Sequence, residues 1–182
     1  MVSSPCGDRH HVDTRQGHAM FAAKCLRLLN RSLRRNICNL PEDKISALAH
    51  DIKDLSTLPE ALRYSCLHWA SHPADSLTRP IADVVQVPEY LRTFADKHLL
   101  HWVEHLSAFG ELEFGLTSLA KATWTLSECL VPRNNFSWTY AEYKTIAILF
   151  EDPHRCLQMG FGAIKHHCLN TYHSAFTFQK RP

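Results

Sequence analysis

The chain has 182 residues, 45% of them hydrophobic and 21% charged, with a net charge of +2 when histidine is neutral. That length describes one domain, or one and a fraction, with a real core, and the composition is ordinary for a soluble globular protein, without a low-complexity tract. So small a net charge supplies no global field for nucleic acid or an acidic membrane, and the longest apolar run, Ile146 to Phe150, falls far short of a roughly 18-residue membrane span.

Residues 1–16 are polar and aperiodic, without the apolar core of a secretion signal. From His18 the pattern becomes helical: Ala22, Cys25, Leu26, Leu29 and Leu33 share one stripe, and Arg27, Arg31, Arg34 and Arg35 stand mostly off it. Pro41 is expected to close this helix near Asn39 and Leu40, because a residue before proline is pushed out of the helical region. Glu42 to Leu55 predicts a short helix with Ile45, Leu48 and Ile52 inward. Ser56 to Glu60 is a helix start, with hydroxyls to cap free amides and a proline suited to the first turn. Leu62, Cys66 and Trp69 then make a buried stripe as far as His72 and Pro73.

Residues 73–87 are expected to form a loop, and Pro88 and Glu89 open the strongest helix, which runs to Gly110. A further helix spans about Leu116 to Leu130 with Pro132 as its stop, and Arg133 to Asn135 form a loop. Two separate helices, Trp138–Phe150 and Pro153–Phe161, follow, with a last helical turn or two near 164–170 and a strand over Tyr172–Phe178. The pattern predicts an all-α chain: a helical bundle or short superhelical array of about six to seven helices. Its expected divisions are a lead-in (1–16), a main helical domain (17–131), additional helices (132–170) and a C-terminal junction segment (171–182).

The chain holds 13 histidines and seven cysteines, so metal and thiol chemistry must be tested. His98, His101 and His105 fall at i, i+3 and i+7 of the strongest helix. At about 100° per residue, Leu91, Ala95, Leu99, Trp102, Leu106 and Phe109 spread over roughly 80° and define its core face. The histidines lie beside that face, with Phe94, and Glu104 points about 60° beyond His101. The expectation is boundary histidines, each burying a ring edge and keeping a nitrogen wet, and no metal site.

The patch from Lys165 to His173 has no second ligand set at finger-like spacing, and Cys156 stands alone in sequence, with no Cys-x-x-Cys pair. Cys66 and His68 point to different sides of one helix, so with His72 they make a still weaker ligand set. The cysteines are expected to be reduced, mostly buried thiols of a cytoplasmic protein. A nucleophile elbow and a phosphate-binding loop are both absent, and Gly160-Phe161-Gly162 is too short for a dinucleotide fingerprint. No catalytic residue, metal ligand, cofactor or bound nucleotide is therefore expected. The best electrostatic feature is the basic stretch carrying Arg27, Arg31, Arg34 and Arg35, which can pair with carboxylates elsewhere or meet an anionic partner. It lacks the interleaved aromatics of a single-strand binder, so nucleic acid is not an expected partner.

Three blocks in order carry a resemblance: Cys25 to Leu40 (CLRLLNRSLRRNICNL), Pro59 to His72 (PEALRYSCLHWASH) and Lys97 to Glu104 (KHLLHWVE). Together they resemble the segment that follows the nucleotide-binding module in fungal NACHT-type signalling NTPases, STAND relatives of NOD-like receptors. Tyr172 to Phe178 (YHSAFTF) is similar to the junction before the WD-repeat propeller of many such proteins, and Cys6 through Asp13 with His18 resembles the end of their winged-helix-like part. The family's phosphate loop and acidic magnesium motif would lie upstream, and nothing here matches them. The resemblance thus implies a non-enzymatic scaffold or regulatory segment, a fragment lacking the NTPase motifs. Its partners would be other modules of a NACHT-like protein or oligomer, with no membrane partner. A binding module using the basic helix against an anionic or phosphate surface is the alternative, and a metal-dependent or thiol enzyme ranks third.

Overall fold

A computed structural model of the chain describes residues 14–40, 58–76, 86–128 and 140–175. Their elements are α1 (Thr14–Ser32), α2 (Glu60–His68), α3 (Ser71–Ser76), α4 (Val87–Thr93), a π-helical turn (Phe94–His98), α5 (Leu99–Ala108), α6 (Leu112–Glu128), α7 (Tyr140–His166) and α8 (Asn170–Ala175). The protein is an all-α bundle, with no strand among the described residues. The expected helix Glu42–Leu55, the Ser56–Thr57 cap, the Pro132 stop, the 133–135 loop and most of the polar lead-in lie outside the described residues.

The α1 stripe packs as its spacing requires: Ala22, Leu26 and Leu29 are fully buried, and Cys25 and Leu33 nearly so. On α2, Leu62 and Cys66 are buried, with Trp69 just beyond its end. At the centre Trp69, Phe94, Trp102 and Phe150 pack against one another, with ring centroids 4.7 to 6.4 Å apart. The Trp102 indole N–H donates to the Cys66 carbonyl at 2.9 Å, which fixes α5 against α2. One apolar cluster runs from Ala22 on α1 to Ile164 on α7.

Several expectations fail, and four of the failures have a clear physical reason. Helix α1 stops at Ser32, not at Asn39, because Asn36 and Asn39 adopt positive φ (51° and 50°). Asparagine tolerates that conformation, and the Asn36 side chain closes a tight loop by accepting from the Leu40 amide (2.7 Å) and donating to its carbonyl (2.8 Å). The helix expected from Pro88 to Gly110 is interrupted by the π turn, which inserts an extra residue and rotates everything after it. Its C-terminal end is as expected: Gly110 (φ 72°) completes a Schellman turn, with bonds from Glu111 N–H to Leu106 C=O (2.8 Å) and from Gly110 N–H to Ser107 C=O (3.0 Å).

The two helices expected on either side of Pro153 are one, α7, with the proline inside it. An interior proline loses a backbone bond and costs about 3 kcal/mol. Here Ile146, Phe150, Leu157 and Ile164 form one buried stripe across it, within about 40° at helical periodicity, and α6 packs along that stripe. Finally, Tyr172 to Ala175, expected as the start of a strand, are helical in α8. No strand neighbours them, and the Thr171 and Tyr172 amides bond back to Cys168 and Leu169 (both 3.1 Å). The segment Ser71–Ser76, expected as the end of a helix and then a loop, is a short helix of its own.

Candidate functional site

The three histidines of the strongest helix do not converge. His98 Nδ1–H donates to the Leu33 carbonyl at 3.2 Å, tying the π turn to the end of α1. His101 leans toward the His98 ring (5.7 Å) and the Tyr172 ring (6.3 Å). His105 is 1% exposed, lies 4.5 Å from the Phe109 ring and has both nitrogens buried without a hydrogen-bond partner. Burial lowers the basicity of all three, and takes His105 down to about 4. The boundary expectation suits His98 and His101, which are half-buried, and fails for His105. Phe94, placed beside the core face, is fully buried, and Phe109, placed in it, is half-exposed. Every residue from Trp102 to Ala108 is buried, since α6, α7 and α8 surround α5 together with the turn after α1.

That enclosure reverses the reading of Glu104, whose side chain points inward and is fully buried. Its Oε2 accepts the Asn36 amide at 2.9 Å and the Tyr172 hydroxyl in a very short bond. The Ile37 amide donates to the same carboxylate, and the Arg35 guanidinium sits 5.0 Å over the Tyr172 ring. Burial pushes the Glu104 carboxyl up, against the pull of these donors. The group is a three-way clamp holding α5, the 33–40 turn and α8 together. Cys38 and Cys168 pack beside it, their thiols pushed up to about 11 and about 12 by burial first and then by Glu104.

Next to this clamp is a cleft of about 300 Å³, between the π turn, the Pro153 region of α7, and α8. Leu99, Val103 and Leu157 are among its apolar lining, while Asp96, Lys97 and Asp152 bring charge to it. His101 and Cys156, far apart in sequence, face this one cleft. Their electrostatics oppose nucleophilic catalysis: burial and then Asp152 raise the Cys156 thiol, and burial lowers His101, so both stay neutral near pH 7. The His101 Nδ1 has no hydrogen-bond partner to orient it as a base. The five described cysteines, Cys25, Cys38, Cys66, Cys156 and Cys168, are free thiols.

The four arginines of the basic stretch separate into two kinds. Met20, Lys24, Arg27 and Arg31 form an exposed stripe on α1, within about 60° at helical periodicity. Arg34 and Arg35 follow the end of the helix, both exposed, and Arg35 is engaged with Tyr172. The ion pairs resolved elsewhere are Arg63–Glu111 and Lys165–Glu113, and among the described residues none forms at Arg27, Arg31 or Arg34.

The C-terminal histidine patch divides: His167 is buried and accepts the Leu169 amide on Nδ1 at 3.2 Å, with Cys168 buried beside it, whereas His166 and His173 are exposed. Cys66 and His72 also part company. The Cys66 thiol is buried in the core, whereas the His72 ring meets His18, with their Nδ1 atoms 3.2 Å apart, and Tyr64, whose hydroxyl is 3.1 Å from His72 Nε2. No local sequence signal could have found that contact, because 54 residues separate the two histidines. Among the described residues no group of three histidine, cysteine or carboxylate side chains converges as a metal site, and no helix is long and apolar enough to cross a membrane. No family model, curated protein or solved structure matches the chain.

Proposed function

We propose that this chain is a non-enzymatic helical scaffold or regulatory segment that works through protein contacts, in the manner of the helices after the nucleotide module of a fungal NACHT-type NTPase. The observation that carries it is the use made of the chain's buried polar groups. Glu104, Trp102, His98 and Ser107 each reach across to another element, the last donating to the Ile164 carbonyl. Such ties, over one continuous core, favour helices that move as a unit, as a segment transmitting nucleotide-driven rearrangement to neighbouring modules must do. Its setting in this reading is the cytoplasm, and its partners are the other modules of such a protein or a second copy of it.

The decisive observation is the genomic sequence on either side of the reading frame. An upstream phosphate loop and downstream propeller repeats would support the reading, and unrelated flanks would overturn it. ATP titrated into the purified chain is expected to give no heat, and a micromolar binding signal would refute the absence of nucleotide binding. A second reading, a basic face docking on an anionic surface, draws on the exposed stripe of Lys24, Arg27 and Arg31. Arg27→Glu with Arg31→Glu separates the two. Loss of binding to heparin beads at unchanged melting temperature favours the basic face, and unchanged retention favours the scaffold.

A further inference from the structure

We propose that the cleft between the π turn, α7 and α8 binds a small organic cation, an ammonium group carried on an apolar body. The cleft has a volume of about 300 Å³. An apolar cavity of roughly 150 Å³ takes one benzene, so this cleft has room for an aromatic ring and a short alkyl arm. Leu99, Val103 and Leu157 line it with buried apolar side chains, and Leu100, which faces the same cleft, is still 37% exposed. A ligand with an apolar body removes that exposed surface from water.

Charge decides the other end of the ligand. Asp96 on the π turn and Asp152 on α7 bring two carboxylates to the cleft from different elements, against the single ammonium of Lys97. All three side chains are exposed, and among the described residues no ion pair is resolved at any of them. Burial lowers His101 and raises the Cys156 thiol, so both are neutral near pH 7 and neither offsets the carboxylates. Among the described residues the lining therefore carries one negative charge in excess, which a ligand with one positive charge balances. An anion would meet two carboxylates for one lysine, and a neutral ligand would leave the imbalance in place. The carboxylates also stand at the two irregularities of these helices. Asp96 lies inside the π turn, a kind of register change that often builds functional sites, and Asp152 directly precedes Pro153, the proline within α7. This goes beyond the scaffold reading and does not depend on it.

The probe is phenethylammonium chloride, with phenethyl alcohol as its uncharged counterpart of similar shape. Titrated into the nitrogen-15-labelled full chain at about pH 7.5, the ammonium is expected to shift the backbone amides of the π turn, of α7 around Asp152 and Cys156, and of α8. Its affinity should be in the low-millimolar range, as a ligand of about nine heavy atoms allows. The alcohol should bind at least about 5-fold more weakly, and Asp96→Asn and Asp152→Asn should each weaken the ammonium about 3- to 5-fold, as partly exposed ion pairs do, while leaving the alcohol unchanged. Lys97→Ala should tighten the ammonium about 2- to 3-fold by removing the competing cation, a gain that a misfolded variant cannot give. Absence of shifts at roughly 20 mM probe, shifts confined to other parts of the chain, equal binding of ammonium and alcohol, or unaltered affinity in all three variants would overturn the proposal.

Discussion

His105 is the most informative single position for the energetics of this bundle. Replacing it with leucine removes a ring whose two nitrogens are buried without partners and whose basicity burial lowers to about 4. In the unfolded chain the same ring titrates near 6.5, so below that pH the unfolded state binds a proton that the folded state refuses. Stability from this group is therefore complete above about pH 6.5 and is lost as pH falls toward 4. At ~1.4 kcal/mol per pH unit, the gap between 6.5 and about 4 amounts to about 3 kcal/mol. The neighbouring Glu104 contributes with the opposite sign, because its raised carboxyl costs stability as pH rises above the ordinary range, but that term is common to both proteins. Urea denaturation at pH 7, 6, 5 and 4, followed by tryptophan fluorescence, should show wild type losing about 3 kcal/mol more than His105→Leu. At pH 7 the variant should be more stable by about 1–2 kcal/mol, since an apolar side chain replaces two unsatisfied polar atoms. Parallel pH curves for the two proteins would refute the argument and mean that the ring is solvated or bonded.

Tyr172→Phe removes the hydroxyl from the Glu104 clamp and should cost about 2 kcal/mol, with hydrogen exchange in α8 accelerated more than in α6. Gly115 lies where α6 approaches Leu157 and Leu106, whose methyls stand 3.1 and 3.2 Å from the position a Cβ would take, so Gly115→Leu should destabilise by about 2 kcal/mol or more in the same urea assay. Gly162 faces open space on α7, and Gly162→Ala should instead stabilise by about 0.5–1 kcal/mol. Cys156, its thiol raised, should alkylate with iodoacetamide at pH 7.5 more slowly than a free cysteine peptide, read by site-resolved mass spectrometry; faster reaction would mean an activated thiol in the cleft.

The parts of the fold legible in the sequence are those where one face of a helix meets one partner. Leu26 and Leu29 of α1, and Leu62, Cys66 and Trp69 at α2, sit where period 3.6 puts them, because each helix there has a wet side. The pattern fails at α5 because that helix is enclosed on every side from Trp102 to Ala108, and an enclosed stretch carries no stripe to read. Glu104 then looks solvent-facing and His105 looks like a boundary residue, when they are the most deeply buried polar side chains among the described residues. The π turn adds to the error, since a fixed 100° per residue carried from Leu91 to Phe109 crosses a segment that does not obey it.

The same argument explains why side-chain chemistry was harder to read than fold. A helical period reports only neighbours three or four residues apart, whereas the contacts that decide chemistry here join distant elements. Glu104 and Tyr172 are 68 residues apart, and His101 meets Cys156 across a cleft. The sequence put three histidines on one helix and suggested a common task; packing gave them three different neighbours. It scattered His18 and His72 between separate helices, and packing brought their nitrogens within 3.2 Å. Local spacing is therefore the wrong test for a site in this bundle.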